Sequence, residues 1–287
     1  MFQIYSLTKP RNHTSNVIFN SPHSGRIYPT SFLNQARLQL HELRISEDAY
    51  VDKLLESVSS LGSILLEACF PRSFVDVNRA PEELDSILIE GVGGKTNNSR
   101  VAAGLGVIPR TVGNGRDIYT RKISLGEANS RLLDFYHPYH ALLESLIFET
   151  KMDYGQTILL DFHSMPSDSL RFFSNKRSNC PEIIIGDCYG SSCDAQITEL
   201  VLDIFSSEGF NVVKNLPFSG GFITRHYGDP ERDVHTLQVE INRSLYINEK
   251  DLTFAKDFGA FKKKLDKVIK RLSKITHFSN KNFKAAE

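Results

Sequence analysis

The chain is predicted to be a single α/β domain, a sheet flanked by helices, on three observations. Short apolar runs rich in Val, Ile and Phe alternate with longer helical patterns. No Pro/Gly/Ser-rich linker divides the 287 residues, a length that can bury one sizeable core. Finally, two of these runs end in histidines, His23 and His163, and open α/β sheets hold their ligands at such strand exits.

The strand expectations follow the apolar runs. They are 16–20 (Val-Ile-Phe before a Ser-Pro turn), 63–68, 74–77, 157–162 (Ile-Leu-Leu before Asp161), 182–186, 211–214 and 236–241. Helices are expected at 43–59, 124–152, 192–207 and 252–275. In the last, Phe258, Phe261, Leu265, Val268, Ile269 and Leu272 step by three or four into one apolar stripe. Its lysines then read as a solvated outer face. The stretch 90–116 carries seven glycines and reads as an active-site flap or rim. The polar tail at 279–287 is expected to fray.

Composition narrows the function classes. With 34 basic and 34 acidic side chains the formal charge is zero, which argues against nucleic-acid binding. Cys69, Cys180, Cys188 and Cys193 do not form a CxxC knuckle and read as free thiols. Neither a signal peptide nor a membrane-spanning run is apparent, so a soluble cytoplasmic protein is expected.

The chemistry is expected at the strand exits. His23 lies in Ser-Pro-His-Ser-Gly and His163 in Asp-Phe-His-Ser-Met-Pro, each directly after an apolar run. Isolated histidines are usually structural, and His13, His41 and His277 read so, but this pair reads as metal ligands. A catalytic zinc normally has three protein ligands, so an acid should complete the set. Asp48 and Asp52, spaced i and i+4 on the expected helix, are candidates. Asp161, two residues before His163, suits either a ligand or an orienting partner. Glu240, between Val239 and Ile241, shares its strand face with Gln238 and Asn242. Burial there would raise its pKa toward neutrality, the range of a general base. Arg79 beside Asn78, and Arg225 and Arg243, are candidate grips for a substrate carboxylate.

Taken in order, further motifs make a resemblance specific. They are Phe-Pro-Arg-Ser at 70–73, Asp-Val-Asn-Arg at 76–79, Gly-Val-Ile-Pro-Arg at 106–110, Pro-Tyr-His at 138–140, Ser-Gly-Gly-Phe-Ile-Thr at 219–224 and Gln-Val-Glu-Ile-Asn-Arg at 238–243. With the two histidine motifs, they resemble the N-formylglutamate amidohydrolase family, which looks like a relative of the zinc carboxypeptidases. The resemblance implies a single domain with a mixed central sheet, one zinc per chain held by His23 and His163, and Glu240 as catalytic carboxylate. It implies that Asn78 and Arg79 bind a substrate carboxylate, with Arg110, Arg225 or Arg243 assisting.

Carboxypeptidases take an acidic ligand three residues after the first histidine, but that position here is Arg26. Asp48 is therefore the expected acidic ligand, with Glu47, Asp52 and Asp161 as its rivals. The implied reaction is hydrolysis of the formamide of N-formyl-L-glutamate to formate and L-glutamate, in the usual context of histidine degradation. Other N-acyl amino acids or peptides would use the same machinery. A non-catalytic sensor of acidic amino acids is the reading from another class.

Overall fold

The computed structural model describes residues 2–93, 98–170 and 180–275. The expected tail at 279–287, His277, and Gly94 and Asn97 of the glycine-rich stretch lie outside them. The core of the molecule is a seven-stranded sheet. Its strands are β1 (Tyr5–Thr8), β2 (Val17–Ser21), β3 (Ile64–Ala68), β4 (Thr157–Met165), β5 (Ile183–Gly186), β6 (Val212–Lys214) and β7 (Val234–Asn242), in the spatial order β1-β3-β2-β4-β7-β5-β6. β2, β3, β4 and β7 run parallel, as do β5 and β6 with each other. β1 is antiparallel to β3 and β5 is antiparallel to β7. The sheet is therefore mixed, as expected.

Two hydrophobic clusters cover the two faces. Phe19, Leu160, Phe162, Leu237, Val239 and Ile241 pack with the helices Ala195–Ser207 and Phe258–Leu272. The latter helix buries Phe261, Leu265, Val268, Ile269 and Leu272, the expected stripe. On the opposite face, Ile18, Leu66 and Leu159 pack against Tyr139, Leu143 and Leu146 of the helix His137–Tyr154. Because side chains alternate across a strand, one parity of β4 and β7 fills the first core. The other parity changes from apolar to polar toward the strand ends, at Asp161 and His163 on β4 and at Gln238 and Glu240 on β7. All four of these polar residues are buried. The register pairs Asp161 with Gln238 and His163 with Glu240, so the chemistry is assembled at the sheet centre.

Two expected elements do not form. The segment 43–59 is not one helix: a turn at Leu40–Leu43 passes through Arg44–Ser46 and restarts at Val51–Leu54. Tyr50 interrupts it with a left-handed backbone, φ 64°, and the Asp48 amide donates to the His23 carbonyl at 2.9 Å instead of to a helical turn. Tertiary contacts have overridden local propensity here. The 74–77 run is likewise a buried loop, not a strand. Phe74, Val75 and Val77 pack into the second core, while the Asp76 amide bonds the Val107 carbonyl at 2.8 Å. The expected helix at 124–152 forms as Leu125–Arg131 and His137–Tyr154, joined by a π-turn at Leu132–Tyr136. Pro138, which cannot donate a helical hydrogen bond, follows that turn. No helix of the described residues is long and apolar enough to cross a membrane, and Cys69, Cys188 and Cys193 form no disulfide among the described residues.

Candidate metal centre and active site

His23 follows β2, His163 lies near the end of β4, and Asp48 sits in the turn that replaces the expected helix. All three are buried, and one ligand atom from each lies within 4.8 Å of the others. His163 Nδ1 is 3.1 Å from His23 Nδ1 and 3.1 Å from Asp48 Oδ2, and His23 Nδ1 is 3.4 Å from the same oxygen. A tetrahedral zinc with bonds of ~2.0–2.1 Å separates its donors by about 3.3–3.5 Å. The donor triangle comes within about 0.2 Å of that edge length on every side.

The tautomers are set from behind. His23 Nε2 faces Asp76 Oδ1 at 2.7 Å and His163 Nε2 faces Asp161 Oδ2 at 2.8 Å. Each imidazole thus gives its Nε2 proton to a carboxylate and turns the Nδ1 lone pair inward, the arrangement typical of metal-bound histidines. Two lone pairs facing each other at 3.1 Å need a cation between them, either a proton or a metal ion. Burial opposes a charge on His163, yet Asp161, Asp48 and Glu240 hold its pKa well above the usual value. Those same carboxylates would favour a metal ion. Burial also disfavours ionised Asp48, but the neighbouring His163 and His23 and the charge of Arg243 hold its carboxyl well below the normal range.

The supporting carboxylates are themselves anchored. Arg72 Nη2 donates to Asp76 Oδ2 at 2.7 Å, and Asn20 Nδ2 donates to Asp161 Oδ1 at 2.8 Å. The Tyr139 hydroxyl donates in turn to Asn20 Oδ1 at 2.5 Å. Arg243 Nη2 donates to Asp48 Oδ1 at 2.8 Å, and its other nitrogens bond Ser164 and the Ile45 carbonyl. Arg243 is therefore turned toward the acid of the triangle and fixes its orientation. The rival acids are engaged elsewhere. Glu47 accepts from Tyr28 and Arg44, Asp52 forms a two-point pair with Arg26, and Asp161 lies behind His163.

Glu240 faces this cluster from β7. Gln238 Nε2 donates to Glu240 Oε1 at 2.8 Å, and Gln238 Oε1 accepts from the Gly221 amide at 2.6 Å. Burial pushes the Glu240 carboxyl up to about 7, with His163 pulling it down and Asp48 adding to the rise. Gly221 is required by space: a Cβ there would lie 2.3 Å from Asn78 Nδ2. The Asn78 side chain is fixed by the Ile223 amide, which donates to Oδ1 at 2.8 Å.

Two adjoining chambers, of about 240 and 290 Å3, open beside the cluster, and both are lined by Arg72, Arg79, Leu105, Phe218 and Glu240. Arg79 is anchored through Nε to the Leu105 carbonyl and through Nη1 to its neighbour's carbonyl, both at 2.9 Å, leaving three N–H donors. Leu105, Pro109, Thr111 and Gly113, from the stretch expected to form a rim, line one wall. Arg110 and Arg225, expected among the substrate grips, line neither chamber. Arg110 pairs with Asp85 and Asp117, each at 2.9 Å, and Arg225 is exposed and donates to the Gly220 carbonyl. Sequence reasoning missed Arg72 and Asp76 as individual residues. Their opposite charges at i and i+4 were the available signal, a weak one because their segment is not helical.

Comparison with known proteins agrees with this architecture. Residues 15–247 match the model of a family described as N-formylglutamate amidohydrolase. An N-formylglutamate deformylase from Pseudomonas putida is 29% identical over 216 residues, 74% of this chain and 75% of that one. A crystal structure of N-formylglutamate amidohydrolase from Ralstonia eutropha JMP134 superposes with a TM-score of 0.87 at 29% identity, covering 94% of this chain and 97% of that chain. A gene product of Agrobacterium tumefaciens shares the fold at 16% identity, with a TM-score of 0.62 over 94% of this chain and 96% of that chain.

Proposed function

The chain belongs to the N-formylglutamate amidohydrolase family, and from that premise we propose that it hydrolyses the formamide of N-formyl-L-glutamate. The products are formate and L-glutamate. The reading includes one zinc ion per chain, held by His23, Asp48 and His163, and a cytoplasmic setting. The observation that carries it is the buried donor triangle, backed by Asp76 and Asp161 and opening on Glu240 in a chamber lined with guanidinium groups.

A divalent ion bound by this donor set supplies Lewis acidity toward a carbonyl oxygen and makes water more acidic at neutral pH. The remaining work falls to the chain's own residues. Glu240, with a carboxyl near neutrality, takes the proton of the attacking water and returns it to the departing α-amine. Gln238 holds one Glu240 oxygen so that the other is free for this transfer. Arg79, fixed at two points with donors to spare, receives a substrate carboxylate beside Asn78. Arg72, which lines both chambers, adds positive charge where the negative charge of the reaction develops.

The test is release of the free amino acid, with formate or acetate, from a panel of N-formyl and N-acetyl amino acids by zinc-loaded protein, with metal content measured before and after chelation. Release confined to N-acetyl compounds, or unaffected by chelation, would replace this reading with another amidase.

A further inference from the structure

The chamber that His23 and His163 line holds more positive charge than the chain itself neutralises. Arg72, Arg79 and Arg100 all line it, together with Glu240. Arg72 is paired with Asp76, and among the described residues Arg79 bonds only carbonyl oxygens. Arg100, on the short helix Ser99–Ala102, is exposed and has no ion-pair partner among the described residues. The three cations feel one another: burial makes the Arg79 guanidinium less basic than usual, Asp76 opposes this, and Arg72 and Arg100 add to it. Like charges gathered in one cavity are stabilised by an anion, and two unneutralised guanidiniums at different depths fit a ligand with two separated carboxylates.

We propose that Arg100 determines specificity by receiving the side-chain carboxylate of the substrate, while the buried Arg79 receives the α-carboxylate. This rests on the reading of the site as an N-formylglutamate hydrolase. The assignment follows from depth and rigidity. The α-carboxylate is common to all N-acyl amino acids and lies two bonds from the scissile nitrogen, so it suits the anchored guanidinium beside Asn78. The side-chain carboxylate is more distant from the reacting carbon and suits the exposed guanidinium of Arg100. Arg100 would thus separate acidic from neutral N-formyl amino acids by charge, since a carboxamide of the same shape offers an extended guanidinium no ion pair.

The test compares N-formyl-L-glutamate with N-formyl-L-glutamine, its uncharged isostere, using zinc-loaded wild-type protein and Arg100→Gln. The ratio of kcat/KM values, glutamate over glutamine, should favour glutamate in the wild type and fall about tenfold or more in the variant. Calorimetric binding of the products L-glutamate and L-glutamine should show the same change in ratio. A wild type that does not discriminate, or a variant that weakens both compounds alike, overturns the proposal and leaves Arg100 a general electrostatic or structural role. The product titrations separate this result from failure of the reaction itself. If no N-formyl compound is hydrolysed but Arg100→Gln still removes the preference for glutamate over glutamine, the activity is wrong and the Arg100 assignment stands.

Discussion

The strand-borne and loop-borne halves of the site are built by different rules. His163 and Glu240 sit on adjacent parallel strands, where pleat and register alone place them side by side. Asp48, Arg72, Asp76, Asn78 and Arg79 lie on irregular backbone, and no periodicity orients them. Four of them are aimed by partners distant in sequence, Asp48 by Arg243, Asp76 by His23, Asn78 by Ile223 and Arg79 by Leu105, while Arg72 pairs with Asp76 four residues on. The strands therefore supply position, and the loops supply charge and fine orientation. Damage to the first half should remove the reaction, whereas damage to the second should detune it.

The largest effect is expected where both halves meet. His23→Ala and His163→Ala each remove one of three donors, and elemental analysis should find the metal largely gone, with formate release lost alongside it. Full metal occupancy in both variants would dissolve the donor triangle. Glu240→Gln tests the strand half alone. It keeps shape, fold and metal, and turnover should fall ~10²–10⁴-fold. A rate near wild type would transfer the proton work to another group, Asp161 first. In the wild type, activity that depends on ionised Glu240 should rise with pH through about 7, the value to which burial lifts this carboxyl.

Asp76→Asn tests the loop half. The asparagine retains the shape but loses the charge that orients His23 and pairs Arg72. Metal affinity should fall about 10–100-fold without loss of the fold, measured by competition with a chelator. An unchanged affinity would mean that the loop does not tune the metal centre.

The smallest expected effect sharpens the contrast between two strand acids, the buried Glu240 and the half-buried Glu67. Glu67 on β3 is also lifted to about 7, by burial first and by the charge of Asp52, but it faces a separate cleft with Arg26 and Cys69. A carboxyl whose folded pKa exceeds its unfolded value favours the fold below the unfolded pKa, and that contribution is lost as pH rises through the folded pKa. Glu67→Gln should therefore stabilise the protein by about 1–2 kcal/mol at pH 8, after discounting for solvent contact, and by nothing near pH 4. Thermal melts at the two pH values test this. A stabilisation equal at both would mean that ionisation of Glu67 is not its source.

The alternation of apolar runs with helical patterns was enough to place the central strands and the helix Ala195–Ser207 to within three residues, and the helix Phe258–Leu272 to within six. It failed at 74–77 because an apolar run reports burial, and burial does not require a ladder partner. It failed at 43–59 because the Asp48 amide is bonded by the His23 carbonyl, a contact that no local pattern encodes. Edge strand β1 was missed because its residues are only partly buried and its apolar signal is correspondingly weak.

By itself, the sequence determined which residues lie at the ends of the central strands and on which face, since the two-residue period of a strand is a local property. It therefore exposed His23, His163 and Glu240. Only the tertiary structure decided that Asp48, and not Glu47, Asp52 or Asp161, meets the two histidines. The same holds for Arg110 and Arg225, which are spent on other partners, and for Arg72 and Arg100, which join Arg79 in one chamber. The physical reason is the same in each case. The position of a carboxylate or guanidinium outside the central strands depends on segments remote in sequence, and these are brought together only when the whole sheet is assembled.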